Sequence, residues 1–218
     1  MRRETDFSPA EEISHSAIHA VGSHLGAAML ALLVVFGAQS GTQVPWKVVS
    51  GAVFGASIIL LYTVSSVYHA VTHRRVKQML EVCDHMAIYV LIAGSYTPFT
   101  LVALRPAHPA IAWTVFGIVW GLAAAGVVFK VFFTGRLRVV STLAYIGMGW
   151  IVVFAIKPLM DTLPVAGLVW LLVGGGLYTL GTVFYLWRLM PFHHAVWHLF
   201  VLAGTFCHFI CVLFYVMM

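Results

Sequence analysis

Seven stretches of predominantly apolar residues follow one another along this chain, and that repetition excludes nearly every fold for which water is the only solvent. They run at roughly 15–38, 46–71, 84–104, 109–131, 138–156, 165–188 and 193–217. A bilayer core about 30 Å thick is crossed by about 20 residues of α-helix, and a segment in lipid must satisfy its backbone hydrogen bonds internally. The expected fold class is therefore all-α, an integral membrane bundle of seven transmembrane helices. With 61% of the 218 residues hydrophobic and 9% charged, no length remains for a separate water-soluble unit. Residues 1–14 are expected to form a short cytoplasmic N-terminal segment and 15–218 the transmembrane domain. "MRRETDFSPAEEISH" is too polar and too acidic for a secretory signal, so the first apolar run is expected to stay in the mature protein.

The punctuation between the runs, "AQSGTQVPWK", "THRRVKQMLEV", "ALRPAHP", "FKVFFTGRLR", "KPLMDTLP" and "RLMPFHH", joins antiparallel neighbours. Lys and Arg in short loops favour the cytoplasm. One side carries nine of them, Arg2, Arg3, Arg74, Arg75, Lys77, Lys130, Arg136, Arg138 and Arg188, against three on the other, Lys47, Arg105 and Lys157. The N-terminus is accordingly expected inside and, after seven spans, the C-terminus outside. The formal charge of +5 thus reflects topology, and no nucleic-acid partner is expected. Cys83, Cys207 and Cys211 show no CxxC spacing, so no disulfide framework is indicated.

Orientation tells which helix ends share a leaflet. The second helix finishes inside with "SSVYHAVTHRR", the third begins there with "CDHMAIYVLIAGSYTP", and the seventh begins there with "FHHAVWH". His194 and His198 are four apart, hence on one helix face. His69, in the last turn or two of the second helix, and Asp84, in the first turn of the third, fall at similar depth. Ionisable side chains inside a membrane are costly unless they pair, bind something or face water, so such a cluster marks a functional site. Three histidines and a carboxylate suit zinc, with His69, His194 and His198 as ligands and the fourth tetrahedral position left for water. Each histidine alone is as well explained by helix-end solvation; the coincidence of three on one side points to a metal.

Between His194 and His198 stand Ala195, Val196 and Trp197, none of which can move a proton. A catalytic base must then come from another helix, and Asp84 is the best placed, ahead of Glu11 and Glu12. Ser65, one turn before His69, offers a hydroxyl to support a ligand or a developing oxyanion. In the first helix Glu12, His15 and His19 could line the same cavity. His73 and His193 are expected at the surface as rival ligands, His24 as a packed or pore-facing residue, and His85 and His108 away from the site. His208, ten residues past His198, sits about 15 Å further along its helix, too deep for the same metal. The glycines at 174 to 176 are expected to permit close helix packing. Channel signatures such as a charge series or a filter motif are missing from the sequence.

The elements "EEISHSAIHAVG", "SSVYHAVTH", "DHMAIYVLIAGSYTPFT" and "HHAVWHLFVLAGTFCHF", in this order over residues 11 to 216, resemble the hemolysin III family, the bacterial branch of the progestin and adipoQ receptor family. The resemblance implies a seven-helix fold with N-terminus in and C-terminus out, in the bacterial inner membrane. It also implies a zinc held by residues matching His69, His194 and His198, with Asp84 and Ser65 at the family's acidic and serine positions. Glu12 and His19 match its first-helix pair, and His15 departs from its pattern. Relatives that resemble lipid amide hydrolases of the ceramidase type imply a zinc-dependent hydrolase acting on a lipid amide or ester that enters from the bilayer. The competing expectation is a non-enzymatic protein with structural zinc: a lipid-responsive receptor, a regulator of membrane state or a pore-forming hemolysin. Either way its partners are membrane lipids.

Overall fold

The computed structural model describes residues 7–218, and within them seven helices are long and apolar enough to cross a membrane. They are α1 (Pro9–Gln39), α2 (Val44–Ala70), α3 (Arg74–Leu104), α4 (Pro109–Phe133), α5 (Arg138–Thr162), α6 (Val165–Leu186) and α7 (His193–Met217). No strand occurs among the described residues. The all-α, seven-span expectation holds, and the differences lie at three helix ends.

Helix α1 starts at Pro9, six residues before the expected boundary at 15, so most of the 1–14 segment that is described is already helical. Ser8 is its N-cap: Oγ accepts from the Glu11 N–H at 3.3 Å, and the Glu11 carboxylate accepts from the Ser8 N–H at 2.9 Å. This reciprocal box, followed by proline at the first helical position, is a start signal that hydropathy alone cannot register. Helix α3 starts at Arg74 rather than 84, because "RRVKQMLEV" is an amphipathic helical extension whose charges hide it from an apolar-run search. Asp84 therefore lies about three turns into α3, not in its first turn. Helix α5 continues through "KPLMDT" to Thr162, past the expected end at 156.

Burial shows which helix is central. In its most apolar window α3 is 78% buried, against 50% for α2, 56% for α7 and 22–28% for α1, α4, α5 and α6. The outward faces of the less buried helices present Val, Leu and Phe, among them Phe132, Phe154, Val165 and Val183, a surface suited to acyl chains and not to water. Lipid is as apolar as these side chains, so close backbone approach and internal hydrogen bonds must hold the helices together. At the α1–α2 seam, a Cβ on Gly26 would stand 2.8 Å from Ile58 Cγ2, and one on Gly55 would stand 2.7 Å from Leu30 Cα. Ser16 and Ser66 exchange hydroxyl-to-carbonyl bonds of 3.0 and 2.9 Å across the same seam, and Ser23 meets Thr63 at 2.7 Å. Of the three consecutive glycines, only Gly174 serves a tight approach, backed by the His208 ring and the Gly204 carbonyl; Gly176 faces open space.

Helix α5 narrows to a 3₁₀ segment over Trp150–Ala155, which interrupts its regular ladder inside the membrane. The Tyr96 hydroxyl of α3 repairs the break, donating to the Gly149 carbonyl at 2.6 Å and accepting from the Val152 N–H at 2.9 Å. Tyr96→Phe is expected to leave both groups without this partner and to lower stability by about 1–2 kcal/mol. Thermal unfolding in micelles would then shift by roughly 2–4 °C per kcal/mol. An unchanged midpoint would mean that another partner takes over.

Candidate metal centre

The start of α1, the end of α2 and the start of α7 meet at one end of the bundle, and five imidazoles converge there. His69, His194 and His198 are buried, with one ring nitrogen from each lying within 4.8 Å of the others. The His69 and His198 Nε2 atoms face one another at 3.3 Å. Both nitrogens of His194, and Nδ1 of His198, are buried without a hydrogen-bond partner. A buried polar atom left unpaired costs about 1–3 kcal/mol, so this concentration of unpaired nitrogens calls for a ligand.

Local sequence accounts for part of the convergence. Helix α7 begins at His193, so His194 and His198 occupy its first two turns and share one face. Phe192, just before the helix, adopts a left-handed backbone conformation (φ 54°), uncommon for a bulky residue, and its N–H donates to Glu11 Oε1 at 3.2 Å. The carboxylate that completes the capping box of α1 thus also fixes the entry to α7.

Glu12, in the first turn of α1, accepts from His69 Nδ1 at 2.6 Å through Oε2, while its Oε1 pairs with Lys77 Nζ at 2.9 Å. Lys77 Nζ also donates to the carbonyls of Tyr68 and Val71 at the end of α2, at 3.1 and 3.3 Å. A carboxylate only accepts, so Nδ1 of His69 carries the proton, and in the neutral ring Nε2 presents a lone pair toward His198. Glu12, His15 and His69 form a second group able to hold a metal ion, with Glu12 Oε2 3.9 Å from His15 Nδ1.

The other expected residues fall as follows. Ser65 is fully buried one turn before His69, its Oγ without a hydrogen-bond partner. Asp84 is buried on α3 but belongs to neither ligand group. His19 is buried, packs on His198 at 3.6 Å between ring centroids, and lines an apolar cavity of about 120 Å³. That cavity also touches Leu91, Tyr145, Trp197 and His208. His73 is exposed, as expected, but His193 is buried, with Nδ1 against the Phe184 carbonyl at 3.0 Å, and His24 is exposed rather than packed. Phe7 and Lys77 carry no signal in the sequence as parts of the site. Phe7 covers the cluster, its ring centroid 4.7 Å from that of His15 and 5.0 Å from that of His194.

Residues 7–209 match the family model described as Haemolysin-III related. The chain belongs to the haemolysin III family. This haemolysin III protein is 46% identical to the "Hemolysin-3 homolog" of Bacillus subtilis, over 96% of each chain. It is 45% identical to "Hemolysin-3" of Bacillus cereus, over 100% of its own length and 96% of the relative's. A more distant relative, the human "Monocyte to macrophage differentiation factor", is 31% identical over 75% of this chain and 69% of its own. It ties the bacterial group to the progestin and adipoQ receptor family. With its seven apolar helices, this haemolysin III protein is a multi-pass integral protein of the bacterial plasma membrane.

Proposed function

We propose that His69, His194 and His198 hold a zinc ion and that the protein hydrolyses amide or ester bonds of membrane lipids in the cytoplasmic leaflet. The observation that carries this reading is the 3.3 Å between two ring nitrogens that face one another. It equals the edge of a tetrahedron with metal–nitrogen bonds of about 2.0–2.1 Å, roughly 3.3–3.4 Å. When bound, zinc supplies a Lewis acid that polarises a carbonyl and makes water acidic. Glu12 orients His69 as carboxylates orient metal-bound imidazoles elsewhere, by taking the proton of the far ring nitrogen. Ser65 offers its unpaired hydroxyl to the carbonyl oxygen, and Asp84 moves the proton of the attacking water. The apolar cavity bordered by His19 receives an acyl chain. Water adds across the acyl bond, the C–N or C–O bond breaks, and a fatty acid and an amine or alcohol leave.

A non-enzymatic reading draws on one observation: the cluster joins the first, second and last helices, as a metal staple in a receptor, a regulator of membrane state or a pore-forming protein would. Purified zinc-loaded protein in micelles, offered a panel of ceramides, other lipid amides and lysolipid esters, separates the two. The hydrolase releases fatty acid, and Asp84→Asn abolishes release while the thermal midpoint is kept. If no lipid in the panel is cleaved, the enzymatic reading is to be dropped; a staple instead loses thermal stability on His194→Ala.

A further inference from the structure

Glu12, His15 and His69 make a second set of donors, in which each residue presents one ligand atom within 4.8 Å of those of the other two. His15 is fully buried and both of its ring nitrogens lack a hydrogen-bond partner, a cost that a bound ion would remove. Glu12 and His15 stand three residues apart on one face of α1, with Glu12 Oε2 3.9 Å from His15 Nδ1 and 2.6 Å from His69 Nδ1. The edge between two ligands of tetrahedral zinc is roughly 3.3 Å, so these two separations need to change by only about 0.6–0.7 Å. The His69 ring presents Nδ1 to this set and Nε2 to His198, so the two donor groups lie on opposite edges of one imidazole.

We propose that Glu12 Oε2, His15 and His69 Nδ1 form a second metal site, separate from the three-histidine site, which takes a second zinc ion once the first site is filled. The order of filling rests on the three-histidine zinc reading. Carboxylate oxygen and imidazole nitrogen together suit zinc. Glu12 Oε1 is held by Lys77 Nζ at 2.9 Å, which leaves Oε2 for the ion, and the Glu12 side chain keeps 17% exposure, a route for ions from the aqueous side. The Lys77 charge and the N-terminal end of α1 both oppose a cation here, so this is the weaker site. The ion takes the place of the proton between Glu12 Oε2 and His69 Nδ1. That proton leaves to water, and His69 bridges the two ions as imidazolate. The centre thereby responds to zinc supplied beyond what the first site needs.

Tag-free full-length protein in micelles, titrated with zinc in a calorimeter and checked by elemental analysis, tests this. Wild type is expected to bind two equivalents, the second at least roughly tenfold more weakly than the first. His15→Ala, His15→Asn and Glu12→Gln should each bind one. His19 belongs to neither donor group, so His19→Ala should bind two. His194→Ala should keep one equivalent, and adding His15→Ala to it should remove that one. A single equivalent in wild type, or a second that persists in the His15 and Glu12 variants, would overturn the second site and leave the first standing. Zero equivalents in a folded His194→Ala protein would overturn it as well. If His194→Ala instead keeps both, the three-histidine reading is what fails. Should the His15 variants not fold, the wild-type stoichiometry and Glu12→Gln decide.

Discussion

Replacing His69 with alanine is expected to take the purified protein from a full equivalent of bound metal to none after dialysis. His69 uses both ring nitrogens: Nε2 faces His198 Nε2 at 3.3 Å, and Nδ1 binds Glu12 at 2.6 Å. Alanine therefore removes one donor and leaves Glu12 without the imidazole that it positions. Metal binding at structural zinc sites is worth about 10–16 kcal/mol, so one ligand of three contributes about 3–5 kcal/mol, a loss of roughly 10²–10⁴-fold in affinity. Elemental analysis and chelator competition read this directly. Glu12→Gln should keep the metal but weaken it by about 10–100-fold, because only the orientation of His69 is relaxed. A His69→Ala protein that retains metal as tightly as wild type would remove His69 from the ligand set.

Gly55→Leu is expected to have the largest effect on stability. A Cβ at this position would lie 2.7 Å from Leu30 Cα, and because that atom is backbone, helix α1 itself has to move. Overpacking of this kind costs about 3 kcal/mol or more where no side chain can yield. The displacement also opens the Ser16–Ser66 bonds and carries Glu12 away from His69, so metal affinity should fall together with the thermal midpoint. Gly176→Ala is the control, since a Cβ there meets nothing within 4 Å, and its stability should stay within about 0.5 kcal/mol of wild type. Equal midpoints for Gly55→Leu and Gly176→Ala would show that the seam tolerates separation.

The histidine end is legible in part. His69, His194 and His198 can be brought together from the sequence because seven spans fix which helix ends share a side, and the 3.6-residue period puts His194 and His198 on one face. Asp84 is misplaced along its helix when only apolar runs are followed, because the charged stretch before it then reads as a loop. Lys77 counts there only as a loop charge, although it ties α3 to Glu12 and to the last carbonyls of α2. The signal for the early start of α1 is present in "SPAE", whose capping box is local chemistry independent of hydropathy.

Hydrophobic length and helical period are local properties in lipid, so the number of helices, their order and the meeting of three histidines at one end follow from the chain's own pattern. That Glu12 faces His69, that His15 is buried beside it and that Phe7 covers the cluster emerge from packing alone. Those contacts depend on how closely α1, α2 and α7 approach and on their rotation about their axes. Both are set by glycine seams and hydrogen bonds between residues far apart in the chain, which no local pattern encodes.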